Sequence, residues 1–191
     1  MTAVLDAPIR VPPDTSWPLI IVISGGQTGA DQGGLRAARA TGYRTGGMAP
    51  KGWRTDDGPA PWLADYGLVE GPHHSYAPRT EWNARNSTGT LWFGDHRSPG
   101  GITTDAACVR YNRVWQVIEP MGGSDRTNPM DFAETIPALI RRWILDHQII
   151  TLNVAGNRER LNPGIGARTD AILRAALNRL TPHTGGTPHA T

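Results

Sequence analysis

The sequence predicts an α/β domain of Rossmann-like build, a parallel sheet of about five strands with helices on both faces. Three observations predict it. Short uninterrupted apolar runs, such as Leu19-Ile20-Ile21-Val22-Ile23, have the pattern of strands buried on both faces. Segments of helical spacing separate them, as βαβ units require. Turns rich in glycine or polar residues follow the carboxyl ends of the runs, where open α/β sheets bind ligands.

The elements follow in order. Leu19 to Ser24 reads as the first strand, Gly25 to Gly29 as a turn, and the run from Ala30 as a helix that ends before Gly42, a natural residue just past a helix end. Tyr43 to Met48 predicts a short second strand. Ala49 to Pro72 carries four prolines and Asp57-Gly58 and reads mostly as loop. A helix is expected over Tyr76 to Asn86, a strand over Gly89 to Phe93, a helix from Pro99-Gly100-Gly101 to Tyr111, and a strand over Val114 to Ile118. Ile136, Leu139, Ile140, Trp143, Ile144 and His147 recur at helical spacing, with Pro137 suited to a first turn. Ile149 to Val154 predicts the last strand and Ala167 to Leu180 the last helix. Residues 1–17 read as a flexible arm, 18–180 as the domain and 181–191 as a loose tail.

Composition narrows the function. The single cysteine, Cys108, excludes an internal disulfide, and no Cys or His spacing suggests a zinc site, so no metal-binding residue is assigned. No stretch has the length of a signal-peptide core or a membrane span, which points to the cytoplasm and away from a membrane partner. Net charge is only +2 and the basic residues are scattered, which argues against nucleic acid as a partner. Lys51 is the one lysine among many arginines; coding bias explains this, and so would phosphate contacts, which suit the planar guanidinium.

The chemistry is expected in three turns, Ser24–Asp31, Gly94–Asp105 and Ala155–Gly166. Glycines let backbone N–H groups approach an anion, and the following helix adds its positive end. A charge-assisted hydrogen bond contributes roughly 1.5–3 kcal/mol, so three or four would reach the about 8 kcal/mol of micromolar binding. The first turn ends Thr28-Gly29-Ala30 without the Lys-Ser/Thr of a Walker loop, and the dinucleotide fingerprint is absent, so ATP, GTP and NAD are poor fits. The candidate ligand is a phosphate-bearing small molecule, held where the first and second of these turns meet at adjacent strand ends.

A set of segments resembles a known family: Ser24-Gly25-Gly26-Gln27-Thr28-Gly29-Ala30-Asp31, Pro50-Lys51-Gly52 with Asp56-Asp57-Gly58-Pro59, Tyr76 with Arg79-Thr80-Glu81-Trp82-Asn83, Gly100-Gly101, and Leu152-Asn153-Val154-Ala155-Gly156 with Arg158-Glu159. In this order, from about Ile21 to Leu180, they are similar to the molybdenum cofactor carrier-like proteins. The resemblance implies a superfamily shared with cytokinin-activating phosphoribohydrolases and DNA-processing proteins. It also implies molybdenum cofactor, a pterin with a terminal phosphate, as cargo, and a homo-oligomer, for which the seven tryptophans would offer exposed apolar surface. One departure bears on activity. Where the related hydrolases place a catalytic glutamate after the Pro-Gly-Gly turn, this sequence has Ala107, so no catalytic residue is assigned and binding is expected without N-glycosidic cleavage.

The candidate ligand-binding residues are Gly25, Gly26, Gln27, Thr28, Gly29, Asp31, Arg79, Ser98, Gly100, Gly101, Thr103, Thr104 and Arg158. Several have a structural alternative. Asp31 fits a helix-capping role as well as a ligand contact, and the four hydroxyls Thr28, Ser98, Thr103 and Thr104 are ordinary caps as well as phosphate donors. Arg158 suits an anion or a surface pair with Glu159, and Trp82 suits a core position or a stacking one. Glu81 has no assigned role, His73-His74 read as solvated loop, and Cys108 as a small buried side chain. The rival readings are a nucleoside-monophosphate phosphoribohydrolase, with Asp105, Glu81 or Asp31 as substitute acid, and a sensor or sponge for a signalling nucleotide.

Overall fold

The computed structural model describes residue 19, residues 21–118 and residues 129–180; the expected arm and tail lie outside the described residues. Among the described residues there are five α-helices and eight strands. They are β1 (Ile21–Ser24), α1 (Ala30–Ala40), β2 (Arg44–Ala49), β3 (Arg54–Thr55), β4 (Gly58–Pro59), β5 (Leu68–Glu70), α2 (Tyr76–Arg85), β6 (Gly89–Phe93), α3 (Pro99–Arg110), β7 (Val114–Ile118), α4 (Pro129–Asp146), β8 (Thr151–Gly156) and α5 (Ile165–Leu177). Six strands form one sheet in the order β5-β2-β1-β8-β6-β7, with every pairing parallel.

Side chains alternate across this sheet with the period of two that strands impose. Val22, Leu91, Phe93, Leu152 and Val154 join Ile140 and Ile144 of α4 and Leu173 and Leu177 of α5 in the main core, to which α1 adds Ala37 and Ala38. The opposite face carries α2 and α3, which pack on each other and meet at Ala84, Ala107 and Cys108. Thr90, Trp92, Asn153 and Ala155, the alternate residues of β6 and β8, therefore face the α2–α3 side. Helix α5 follows β8 on one face and α3 follows β6 on the other. Such a reversal between neighbouring strands opens a crevice beyond their carboxyl ends.

The α/β fold with a parallel sheet is the one the sequence predicts; one detail of it is refined and three other expectations are corrected. The sheet has six strands rather than about five, because the segment from Ala49 to Pro72 is folded: it holds the β3–β4 hairpin, two short 3₁₀ turns and the edge strand β5. Pro137 lies inside α4, not in its first turn, since the helix begins at Pro129; along its apolar stripe Leu139 is exposed while Ile140 and Ile144 are buried. The turns after β1 and β6 do not leave adjacent strand ends, because β8 is inserted between those strands. The tryptophans do not form exposed apolar surface either: among the described residues only Trp62 is strongly exposed, at 47%, and Trp92 is buried.

Candidate functional site

The turn after β1 is stitched together by its own residues. Gly26 N–H donates to Ser24 Oγ (3.4 Å), Gln27 N–H to Asp31 Oδ2 (3.2 Å) and Thr28 N–H to Gln27 Oε1 (2.9 Å). Ala30 N–H, at the start of α1, donates to the carbonyl of Asn157 (3.2 Å). The anion at this helix N-terminus is thus the protein's own Asp31, placed where the helix dipole favours negative charge. Burial raises the carboxyl pKa, opposed chiefly by the Arg79 guanidinium.

Arg79 reaches Asp31 from α2 over the bare backbone of Gly25. Its Nη1 donates to Asp31 Oδ2 at 3.0 Å, with only 12% and 4% of the two side chains exposed. A Cβ on Gly25 would lie 1.4 Å from that nitrogen, so only glycine leaves the path open. The other glycines of the turn serve different contacts. Gly26 has φ +73° and packs against Leu63 and Leu68, and Gly29 has φ +92° and lies against the backbone of Asn157, Arg158 and Glu159.

Asn157 ties the three turns together. Its Oδ1 accepts from Asp95 N–H (2.7 Å), and its Nδ2 donates to the Asp95 carbonyl and to Ser98 Oγ, both at 3.3 Å. Ser98 also caps α3 by accepting from Gly101 N–H (3.3 Å). Asn83, on α2, holds β2 in the same manner, accepting from Met48 N–H (2.9 Å) and donating to the Met48 carbonyl (3.0 Å).

A cleft of about 70 Å³ remains between these stitched turns, several times the roughly 10–15 Å³ that one water needs. Its walls include Gln27 and Asp31 from the first turn, Tyr76, Arg79 and Thr80 from α2, Trp92 of β6, Gly100 and Thr104 of α3, and Asn153, Ala155 and Arg158 from β8 and the turn after it. Trp92 stands opposite Ala155 in the β6–β8 register, and the small partner leaves room beside the indole.

Three buried donors on these wall residues have no hydrogen-bond partner among the described residues: Gln27 Nε2, Arg79 Nε and Trp92 Nε1. The orientation of Gln27 follows from its neighbours, because Oε1 accepts from Thr28 N–H (2.9 Å), Thr28 Oγ1 (3.4 Å) and Asp56 N–H (2.8 Å), which leaves the amino group as the end without a partner. A buried unsatisfied donor costs about 1–3 kcal/mol, so three in one cleft demand an acceptor. At the rim, Arg158 lies over the Tyr76 ring, 4.5 Å from its centre, and its Nη1 donates to Asp56 Oδ1 of the β3–β4 turn at 2.7 Å.

The structure divides the sequence-predicted residues. Gln27, Asp31, Arg79, Gly100, Thr104 and Arg158 line the cleft. Thr28 is bound to Gln27, Ser98 to Asn157 and Gly101, and Thr103 to the carbonyl of Pro99 at 2.8 Å. Gly101 packs on the His96 carbonyl, and Gly25, Gly26 and Gly29 admit their neighbours as described. Arg158 pairs with Asp56, not Glu159, whose carboxylate accepts from Gly164 and Gly166 N–H at the start of α5. Glu81 is outside the cleft, bound to Arg110 and Tyr111 at 2.7 Å each, and the Tyr111 bond first and the Arg110 bond second hold its pKa down. Ala107 lies in the small apolar cluster with Ala84 and Cys108.

Sequence reasoning missed Trp92, Asn153 and Asn157 and gave Tyr76 no role of its own. Two signals were available: an indole N–H inside the buried run Leu91-Trp92-Phe93, and Asn153 interrupting the apolar run of β8. Among the described residues no group of His, Cys, Asp and Glu is arranged to hold a metal ion, and no helix is long and apolar enough to cross a membrane.

Residues 22–177 match the circularly permutated YpsA SLOG family. A crystal structure from Syntrophus aciditrophicus SB, named "Putative molybdenum carrier protein", is similar to this chain with 33% identity and a TM-score of 0.73, covering 86% of this chain and 98% of that one. No curated protein matches the sequence.

Proposed function

Because the chain belongs to the circularly permutated YpsA SLOG family, we propose that it is a non-catalytic carrier. In this reading it binds the phosphate end of a pterin or nucleotide, with molybdenum cofactor as the cargo its relative's name suggests. One observation carries the proposal: three residues that line one cleft each hold a buried N–H donor without a partner among the described residues, a donor set complementary to the oxygens of an anion. The cleft volume of about 70 Å³ suits a phosphate group and leaves the rest of the ligand at the rim, where Tyr76 offers a ring face and Arg158 a guanidinium.

The chain's own residues divide the work of binding. Gln27 Nε2, Trp92 Nε1 and Arg79 Nε donate to the anion, while Asp31 and the bare Gly25 hold Arg79 in place. Of the three substitute acids, only Asp31 lines the cleft; Glu81 is bound by Tyr111 and Arg110. That distribution favours carriage over hydrolysis. Assembly into a homo-oligomer in the cytoplasm remains part of the proposal.

Native mass spectrometry of freshly purified protein, followed by titration with nucleoside monophosphates and a pterin phosphate, tests this reading. A retained phosphate-bearing molecule, or a raised Tm with either phosphate, is the expected result. The absence of both would overturn it. Release of ribose 5-phosphate at an ordinary enzymatic rate of about 1 s⁻¹ would replace the carrier with a hydrolase.

A further inference from the structure

We infer that the cleft selects its anion by the proton it carries: with Asp31 as an acceptor in the wall, the site takes a protonatable phosphate group in preference to oxyanions that stay proton-free near neutrality, such as sulfate and molybdate. The inference rests on the anion-binding reading above and deepens it.

The wall is not made of donors alone. Asp31 Oδ2 is taken up by Arg79 Nη1 and Gln27 N–H, while Oδ1 accepts from none of the described residues. Arg79 is balanced by Asp31, and Asp56 is shared by Arg158 and Arg160; the positive charge left over sits with the exposed Arg160, so little of it is available inside the cleft to hold a dianion beside a carboxylate. Like charges this close cost enough to decide between ligands unless a proton enters with the anion.

A phosphate monoester has its second pKa near about 6 and can share a proton with Asp31. Sulfate and molybdate are too weakly basic to bring one near neutral pH, so Asp31 itself would have to draw it from solvent. The charged groups facing Asp31 are Arg79 from α2 and Arg158 from the β8–α5 turn, and burial opposes both by favouring the protonated acid. The strands beneath contribute only uncharged residues to the cleft, Trp92 from β6 and Asn153, Ala155 and Gly156 from β8. Helix α5, which packs on α1, has Glu159 spent on its own N-terminus and Asp170 paired with Arg174 and near Arg36.

Calorimetric titration of the full chain with methyl phosphate, sulfate and molybdate at matched ionic strength, near pH 7, provides the test. Methyl phosphate is expected to bind at least about tenfold more tightly than either competitor, with the gap narrowing as pH falls and Asp31 takes up a proton. Proton uptake, read from the dependence of the heat on buffer ionisation, should accompany sulfate binding to the wild type. Asp31→Asn keeps an oxygen for Arg79 and removes the charge, so sulfate and molybdate should then bind about as well as methyl phosphate.

Equal affinity of the wild type for the three anions without proton uptake would overturn the selectivity and leave the carrier reading standing. A persisting gap in Asp31→Asn would do the same. If no anion binds the wild type, the carrier reading falls with it.

Discussion

The turns that follow β1 and β6 are alike in composition and unlike in what they do. In the first, the N–H groups of Gly26, Gln27, Thr28 and Ala30 are all spent on protein oxygens. Its glycines exist to admit neighbours: a guanidinium at Gly25 and foreign backbone at Gly29. In the second, Gly100 stands in the cleft wall, and a Cβ there would meet only the edge of the Trp92 ring at 3.3 Å. Glycine content therefore marks close approach of some group, and the identity of that group decides between architecture and binding. Here the donors left for a ligand are on side chains, two of them placed by the first turn.

The comparison breaks most visibly at Gly29. Its φ of +92° disfavours any side chain, and a Cβ would lie 2.5 Å from Glu159 N and 2.6 Å from the Asn157 carbonyl oxygen, both backbone atoms that cannot swing away. Gly29→Ala should cost at least about 3 kcal/mol of stability or prevent folding, measured by urea denaturation. A loss below about 1 kcal/mol would mean that the turn and the β8 segment are not locked as described.

Gly25 sharpens the contrast, because its neighbour is the end of a flexible side chain. Gly25→Ala leaves the backbone undisturbed but displaces Arg79, and Asp31 loses its partner. Breaking a buried pair in this way costs about 3–5 kcal/mol when the orphaned charge persists. The sign of the pH dependence follows from the raised pKa of Asp31. Without Arg79 the folded-state pKa rises further, so the native state holds a proton that the unfolded chain releases above about 4. The penalty of Gly25→Ala should therefore be largest at alkaline pH and shrink as pH falls through the folded-state value. A penalty that does not change with pH would point to a steric cause.

The β–α rhythm was legible because each central strand is a run of apolar residues flanked by punctuation, and burial on both faces leaves no competing pattern. The edge strand β5 was not: it spans Leu68–Glu70 only, with two of its three residues exposed. The cleft was half legible. Gln27, Asp31, Arg79 and Gly100 belong to local motifs, and three of the N–H bonds of the glycine turn join residues no more than four apart, whereas the contacts that fix Asp31 and lock the turns to one another join residues far apart in sequence. Asp31 meets Arg79 across 48 positions, and Asn157 meets Asp95 across 62. Local spacing carries no information about such pairs, so a turn occupied by its own carboxylate reads like one awaiting a phosphate.

The smallest effect is expected at Trp92, and it separates ligand recognition from architecture most cleanly. The indole is buried on β6 and its Nε1 has no partner among the described residues, so folding takes water from this N–H without giving it a protein acceptor. Trp92→Phe removes the donor and keeps an aromatic ring facing Ala155. Losing the larger ring costs some packing, while deleting an unsatisfied donor recovers about 1–3 kcal/mol, so stability should change by no more than about 1 kcal/mol in either direction. With ligand bound the N–H has its acceptor, and its loss should weaken the affinity for a phosphate monoester by about tenfold or more, the value of one hydrogen bond to a charged group. Denaturation and calorimetry on the same variant measure the two quantities separately. A fall in stability with affinity unchanged would assign Trp92 to the core and leave the anion to Gln27 and Arg79.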